Sequence, residues 1–310
     1  MQWRTPNFNF VKWRRVAMIG SSVANLVAIA AMLPFIHGLN YGVDFTGGVD
    51  LEATYSAPAN LDAIRTGLEG VGFKSVQVQN FGSTSDVKIR LPPIAQGSTL
   101  DSVQEQVVKV LRSTGPDVQV KGVASVGPQV GEDLAQQGVL AMVFALAMVF
   151  IYVAVRFRWK LALGAIVATV HDVLITAGAF ALFGWQFDLT VLGSILAVLG
   201  YSLNDTIVIY DRIRDNFRLM RRGTPEAIVN ASVNQTLSRT IITGGTTMLT
   251  VVALFLFGGD ALHGFSLALI IGILVGTYSS VYVASSMALV LNISPQDFVE
   301  TKTERIDELP

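Results

Sequence analysis

Six long apolar segments dominate the chain, each of about the length that a helix needs to cross the hydrocarbon core of a membrane. Hydrophobic residues make up 51% of the 310 residues and charged residues only 15%. The predicted spans cover residues 16–36, 139–155, 161–183, 189–210, 241–257 and 262–291. The sequence therefore predicts a polytopic α-helical membrane protein with six transmembrane helices.

The first span begins like a signal peptide, because Arg14 and Arg15 precede it and residues 28–30 (AIA) imitate a cleavage site. The apolar run continues past that point through Phe35, which favours an uncleaved anchor.

The orientation of the spans is predicted from lysine and arginine in the short loops. Basic residues precede span one, join spans two and three, and lie between spans four and five: Arg4, Lys12, Arg14, Arg15, Arg156, Arg158, Lys160, Arg212, Arg214, Arg218, Arg221, Arg222 and Arg239. Residues 184–188 and 258–261 contain none. We therefore expect both termini in the cytoplasm and the domain between spans one and two on the opposite side.

The resulting division of the chain is a cytoplasmic N-terminus, a first helix, an outer domain, five further helices and a cytoplasmic tail. These parts cover residues 1–15, 16–36, 37–138, 139–291 (with a cytoplasmic loop at 211–239) and 292–310. The chain has no cysteine, which excludes disulfides and thiolate metal sites. A net charge of −1 argues against nucleic acid as the main partner.

The outer domain shows the alternating pattern of half-buried strands and the spacing of two amphipathic helices. Strand patterns begin near Val49, Val76, Val87 and Val118, and the helices follow the capping candidates Asn60 and Thr99. The order β-α-β-β-α-β is the ferredoxin-like arrangement of a small α+β domain.

That fold supports many functions, and the domain contains no catalytic triad, metal-ligand cluster or phosphate loop. Its acidic residues outnumber its basic ones, eleven to seven. A solvated surface and a protein-binding surface both explain this surplus. We interpret the domain as a binding module rather than an enzyme, and we expect neither a metal nor a cofactor.

Ionisable residues at membrane depth are costly and indicate function. Asp205 lies deep in span four, with Tyr201 and Ser202 at i−4 and i−3 on the same helical face and Asn204 beside it. The sequence thus predicts a buried carboxylate among polar side chains.

A polar stripe is also predicted along span five, because Arg239, Thr243, Thr246, Thr247 and Thr250 recur at helical spacing. If the two faces meet, the carboxylate alternates between charged and neutral forms in response to small movements. A proton that crosses about 100 mV releases about 2.3 kcal/mol. A proton carrier and a static ion pair between two helices both remain open on these residues alone.

His171 and Asp172 form a second, weaker candidate for proton movement. A straight helix points neighbouring side chains about 100° apart, so only one of the two faces a given neighbour well. In span six, Gly272, Gly276 and Ser280 make a small-residue face, which predicts close approach of another helix, from this chain or from another subunit.

Four motifs in this order resemble the SecF family, the smaller partners in the SecD–SecF membrane complexes of bacterial protein export. They are residues 42–48 (GVDFTGG), 126–131 (VGPQVG), 199–214 (LGYSLNDTIVIYDRIR) and 235–240 (QTLSRT). The likeness covers nearly the whole chain, including the arrangement of one helix, one domain and five helices. The larger group is the resistance–nodulation–division superfamily, in which twelve helices are typical.

The resemblance implies a role in the bacterial inner membrane. Such proteins use the proton-motive force to help unfolded polypeptide leave the SecYEG channel on the outer side, and their partners are SecD, SecYEG and YajC. In the family, the residues matching Asp205 and Arg239 are tied to proton movement through the bilayer. The motif that contains Gly42, Asp44, Gly47 and Gly48 is interpreted as a hinge of the outer domain or as a tight turn, and the two are compatible.

Two alternatives from other classes remain. A non-transporting scaffold would only stabilise the translocase. Half of a small-solute efflux pump would need an apolar pocket, for which the outer domain is small and polar. An enzyme is disfavoured, because no nucleophile–base pair or metal cluster stands out.

Overall fold

The computed structural model describes residues 7–73, 76–81, 83–93, 99–115, 117–220 and 223–298. The elements in chain order are α1 (Arg14–Met32), β1 (Asn40–Tyr41), α2 (Val43–Thr46), β2 (Gly48–Thr54), α3 (Leu61–Gly70), β3 (Gln77–Phe81), β4 (Ser83–Leu91), α4 (Leu100–Thr114), β5 (Gln119–Val126), α5 (Pro128–Arg156), α6 (Trp159–Phe183), β6 (Gln186–Phe187), α7 (Leu189–Leu219), α8 (Pro225–Phe257), α9 (Asp260–Ser279), a π-helical turn (Ser280–Ala284) and α10 (Ser285–Val290). Arg4, Arg221 and Arg222 of the predicted basic segments, and residues 299–310 of the predicted tail, lie outside the described residues.

Among the described residues, six helical segments are long and apolar enough to cross a membrane, as the sequence predicts. They are α1, α5, α6, α7, α8 and the run from α9 to α10. Half of the apolar window is buried in α6, in α7 and in the α9–α10 run, whereas only 11–17% is buried in α1, α5 and α8. The bundle therefore has α6, α7 and α9 at its centre and the other three helices around them.

Several helices continue beyond the hydrocarbon lengths that hydropathy marks. The second span begins in polar sequence at Pro128, and α7 and α8 extend to Leu219 and from Pro225. The loop predicted over 211–239 is therefore helical along most of its length. Asp188 and Thr224 cap α7 and α8 through side-chain bonds to the backbone N–H groups three residues later.

The outer domain has the predicted ferredoxin-like topology. Its four strands lie in the order β3-β4-β2-β5 with antiparallel neighbours, and α3 and α4 pack on the buried face of the sheet through Leu68 and Leu111. Asn60 and Thr99 cap the two helices by accepting hydrogen bonds from the backbone.

The small-residue face of α9 packs against α7 of the same chain. A Cβ atom at Gly272 would overlap Val198, and one at Gly276 would lie 3.0 Å from the Cβ of Ser202. The close approach that the glycines predict is therefore internal, and it brings polar side chains of α7 and α9 into contact.

Candidate functional site

Asp172 is the centre of a polar cluster that joins three transmembrane helices. Its side chain on α6 is fully buried. One carboxylate oxygen lies 2.9 Å from Nδ1 of His171, and the other accepts hydrogen bonds from Ser202 of α7 at 2.5 Å and Ser279 of α9 at 2.8 Å. These contacts satisfy both oxygens, so the residue fastens α6, α7 and α9 together at the bundle centre.

His171, which bonds Asp172 through Nδ1, also packs against α9. Its ring lies 6.3 Å from that of Tyr278 on α9, and the hydroxyl of Tyr278 lies 3.0 Å from that of Ser21 on α1. A ring contact between His171 and Tyr278 thus lies between the hydrogen bond to α1 and the hydrogen bond to Asp172. A role of His171 and Asp172 in proton movement stays a prediction.

The backbone changes directly after the serine that bonds Asp172. Helix α9 ends at Ser279, and the following turn over Ser280–Ala284 is π-helical. Tyr210 of α7, which is fully buried, donates a hydrogen bond of 3.0 Å to the carbonyl of Ala284. π turns leave carbonyls to be satisfied from outside the helix and are frequent at functional sites. No pattern in the sequence signals this turn.

Asp205 is buried on α7, about one turn after Ser202, but its surroundings differ from those of Asp172. Its Oδ2 atom, the hydroxyl of Tyr201 and the hydroxyl of Thr240 on α8 are all buried, and none has a hydrogen-bond partner among the described residues. Ser202, predicted to share a face with Asp205, instead bonds Asp172. An ionised carboxylate in apolar surroundings requires donors or a cation, so this group is sensitive to whatever approaches it.

The predicted polar stripe of α8 only partly faces the bundle. Thr243 and Thr247 are half-buried, whereas Arg239 and Thr246 are exposed. The Thr246 and Thr247 hydroxyls donate to carbonyls of their own helix at 2.9 Å. In the described part of the chain Arg239 makes no ion pair within 4.0 Å with Asp205 or any other acid. The side chain of Asn204 is likewise exposed.

The glycine-rich segment between α1 and the outer domain contacts the start of α7. The carboxylate of Asp44 accepts a hydrogen bond of 3.0 Å from the N–H of Leu189, the first residue of α7. Gly42 donates its N–H to the carbonyl of Phe187 at 2.8 Å, and a Cβ at Gly42 would lie 2.9 Å from the Cβ of Asp188. This segment is therefore bonded directly to the start of α7.

The same segment packs against the start of α5. Gly47 and Gly48 have φ angles of +68° and +130°, which other residues rarely adopt. A Cβ at Gly47 would lie 2.9 Å from the Cα of Pro128, and one at Gly131 would lie 2.8 Å from the N atom of Gly47. The first two motifs of the sequence therefore meet in a close-packed junction. A hinge role for Gly42, Asp44, Gly47 and Gly48 stays a prediction.

An ionic network, not predicted from the sequence, joins the outer sheet to the membrane-side linkers. Buried Asp50 accepts from Arg90 at 3.1 Å and lies 3.6 Å from Lys88. Arg90 also donates to the carbonyl of Tyr41 at 2.8 Å, and Gln186 donates to Asp50 at 3.3 Å. Because Tyr41 and Gln186 belong to β1 and β6, which pair in parallel, the network connects the domain to the first span and to the α6–α7 loop.

Helix α7 joins the centre of the bundle to the outer-domain junction. A carboxylate with an unpaired oxygen lies at the middle of α7, about 24 Å from the first residue of that helix at 1.5 Å per residue. That first residue is bonded to the outer-domain junction. Helix α7 therefore connects Asp205 to the outer-domain junction.

Two family profiles match the chain. One is described as "Protein export membrane protein SecD/SecF, C-terminal" and covers residues 106–294; the other is described as "SecD/SecF GG Motif" and covers residues 33–59. The second profile includes the close-packed glycine segment described above.

Similar proteins cover nearly the whole chain. The protein translocase subunit SecF of Escherichia coli O157:H7 is 46% identical over 301 residues, which are 96% of this chain and 92% of that protein. The subunit of the same name from Pseudomonas aeruginosa is 42% identical over 313 residues and covers both chains completely.

Two solved structures share the fold at 34% sequence identity. The crystal structure of SecDF from Thermus thermophilus, called a translocon-associated membrane protein, has a TM-score of 0.84, and a super-membrane-facing form of SecDF has a TM-score of 0.69. Each comparison covers 94% of this chain but only 39% of the other. The chain therefore corresponds to well under half of those longer proteins.

Proposed function

The chain belongs to the SecD/SecF family of protein export membrane proteins, and from this premise we propose that it works with a SecD partner to drive polypeptide export with the proton-motive force. In this proposal the partner supplies the remainder of the longer SecDF arrangement. The exported, unfolded polypeptide leaves the SecYEG channel on the outer side, where the outer domain acts on it.

The observation that carries the proposal is the buried, incompletely paired carboxylate of Asp205. A static ion pair would leave both oxygens satisfied, as Asp172 is satisfied by its neighbours. Asp205 instead has an oxygen without a donor among the described residues. Because no fixed partner bonds this oxygen, gain or loss of a proton changes the local charge without a compensating contact.

The exposed polar face of α8 supports an intramembrane contact with the partner. Arg239, Thr246 and Thr250 are exposed on α8, and a guanidinium at the membrane edge that a partner helix covers requires an acid, a carbonyl or water. We infer that SecD covers this face and supplies an acceptor to Arg239. Arg239 then interacts both with the acceptor on SecD and with the carboxylate of Asp205.

The coupling runs along α7. Protonation of Asp205 removes the charge that attracts Arg239, and α7 shifts relative to α8. The shift reaches Leu189, whose N–H is bonded to Asp44 in the glycine segment. The outer domain then moves relative to the membrane, and this movement holds or releases the emerging polypeptide so that it does not slide back.

The test replaces Asp205 in the complete complex. Asp205→Asn keeps the size of the side chain but removes the proton site, so we expect loss of essentially all export that an imposed proton gradient stimulates in vesicles with SecD and SecYEG. The abundance of the complex should not change. Asp215→Asn, on the same helix and without an ion pair among the described residues, should retain full stimulation.

The rival scaffold function predicts the reverse pattern. If the chain only stabilises the translocase, Asp205→Asn and Arg239→Ala reduce the amount of complex, and export per complex keeps its response to the gradient. Normal gradient-dependent export by Asp205→Asn would remove the carboxylate from the mechanism.

A further inference from the structure

A basic cavity of about 300 Å³ opens where the α5–α6 linker meets the end of α7. Four arginines line it: Arg156, Arg158, Arg214 and Arg218. The aromatic side chains of Phe157 and Phe298 form its apolar floor. The guanidinium carbons of Arg156 and Arg214 lie 5.0 and 5.9 Å from the ring centre of Phe157, which holds the cations in place.

The charges of the cavity are not balanced within the described part of the chain. Asp211 accepts from Arg156 at 2.6 Å and from Arg214 at 3.1 Å. Arg158 and Arg218 are exposed and make no ion pair with the residues that the structure describes.

Two further groups of the cavity, an aspartate and a guanidinium nitrogen, determine whether its positive charge is neutralised. Asp297, also in the lining, is already paired with Lys160 at 2.9 Å, so it does not neutralise the arginines. The Nε atom of Arg214 is buried without an acceptor in the described structure. The cavity therefore has a surplus of positive charge and hydrogen-bond donors that are free to bind an anion.

The cavity is continuous with a surface that is suited to lipid. Val155 of its lining is 85% exposed, and Ile151, Tyr152 and Trp159 beside it are more than half exposed. The exposed face of α5 is apolar over residues 139–155, unlike the exposed face of α8 with Arg239 and its threonines. An aromatic ring next to arginines at the end of a span is typical of the level of lipid headgroups.

We propose that this cavity binds the phosphate headgroup of an anionic phospholipid, whose acyl chains lie along the exposed face of α5. Arg158 and Arg218 donate hydrogen bonds to the phosphate oxygens, since the planar guanidinium matches that geometry in bidentate fashion. Val155 contacts the lipid just below the headgroup. The proposal requires the membrane placement of α5 and does not depend on the proton role of Asp205.

The test places a photoreactive side chain in the cavity. The complex with SecD carries Val155→p-benzoylphenylalanine and is reconstituted in vesicles of equal amounts of phosphatidylglycerol and phosphatidylcholine. After illumination, mass spectrometry identifies the lipid attached at position 155. With two unpaired cations at the membrane surface, we expect about tenfold more phosphatidylglycerol than phosphatidylcholine adduct.

Two double variants locate the source of this preference. Arg158→Gln with Arg218→Gln should lower the ratio of the two adducts to about one, because the phosphate-binding donors are lost. Lys12→Gln with Arg212→Gln removes the same number of exposed charges outside the cavity and should leave the preference intact.

Four results would overturn the proposal. Equal labelling of the two lipids in the parent complex would show that the cavity does not select anionic headgroups, and equal loss of preference in both double variants would show that general surface charge selects them. A ratio reduced to one by excess inorganic phosphate would indicate a site for free phosphate. Attachment to a protein segment, either of a partner or of residues 299–310 with their four acids, would identify a protein contact.

Discussion

The two buried aspartates of the membrane bundle lie close together but have opposite surroundings. Asp172 has a bonded neighbour on each side of its carboxylate, drawn from α6, α7 and α9. Asp205, equally inaccessible, faces the α7–α8 boundary with an oxygen that lacks a partner in the described residues. A satisfied buried carboxylate holds helices together, whereas an incompletely satisfied one responds to protons and to approaching charges.

The largest difference in stability is expected between variants of the two aspartates. Asp172→Ala removes three side-chain contacts inside the membrane and should lower the free energy of unfolding by about 2–4 kcal/mol. Asp205→Asn should change it by less than about 1 kcal/mol, because few contacts are lost. Thermal unfolding of the complex in detergent measures both.

Thr169→Ala is the matched control for the first variant. Thr169 is buried on the same helix, and its hydroxyl donates only to the carbonyl of Ala165 one turn earlier. Its loss should be small. If Asp172→Ala were as mild as Thr169→Ala, the proposed fastening of three helices would be wrong.

A smaller loss of stability is expected at the glycine junction. Gly48→Ala introduces a Cβ at a φ of +130° that overlaps the carbonyl oxygen of Leu91, and should cost about 1–3 kcal/mol. Gly127→Ala is the control, since a Cβ there meets no atom within 4 Å. Protease resistance of the outer domain reports the change.

For the molecules that do fold, Gly48→Ala should also reduce gradient-stimulated export, because the proposed coupling passes from Leu189 through this segment to the outer domain. Full stimulation at normal abundance would mean that the junction is a rigid connection outside the coupling step.

The smallest expected effect is a pH dependence of the stability of the outer domain. It arises from Asp86 and is independent of the membrane carboxylates. Hydrogen bonds from Thr54, Ser83 and Lys121 lower the pKa of Asp86 from 3.8 to about 2. The folded domain thus keeps this carboxylate ionised at pH values where the unfolded chain protonates it. The resulting stabilisation is fully present above the unfolded pKa and is lost as the pH falls towards about 2.

Urea unfolding of the Asp86→Asn variant checks this sign. The stability difference between the parent and the variant should shrink as the pH falls from about 4 to about 2, while the near-neutral proton response of the complex stays unchanged. A variant that altered the near-neutral response would show that the outer domain contributes to it.

Much of this architecture is predictable from local sequence. Long apolar runs define the six spans, and alternation with the caps Asn60 and Thr99 defines the outer fold, because both depend on residues close together in the chain. The family resemblance, taken from four short motifs, is confirmed by both family profiles.

The parts of the site that the sequence does not predict depend on contacts between residues that are distant in the chain. Ser202 and Ser279, which bond Asp172, are 30 and 107 residues away, so spacing along one helix does not reveal that cluster. The pairing of Asp50 with Arg90 is hidden for the same reason. Periodicity predicts that the polar residues of α8 share a stripe but does not specify which neighbour the stripe meets, and Arg239 lies on the outside.

The most direct test of the account is the infrared signal of protonated carboxyl groups in the complex, recorded from about pH 5 to about pH 8. The account predicts a titrating carbonyl band that disappears in Asp205→Asn and persists in Asp172→Asn. A band that remains in Asp205→Asn and disappears in Asp172→Asn would contradict it, because the fully bonded carboxylate would then be the one that exchanges protons.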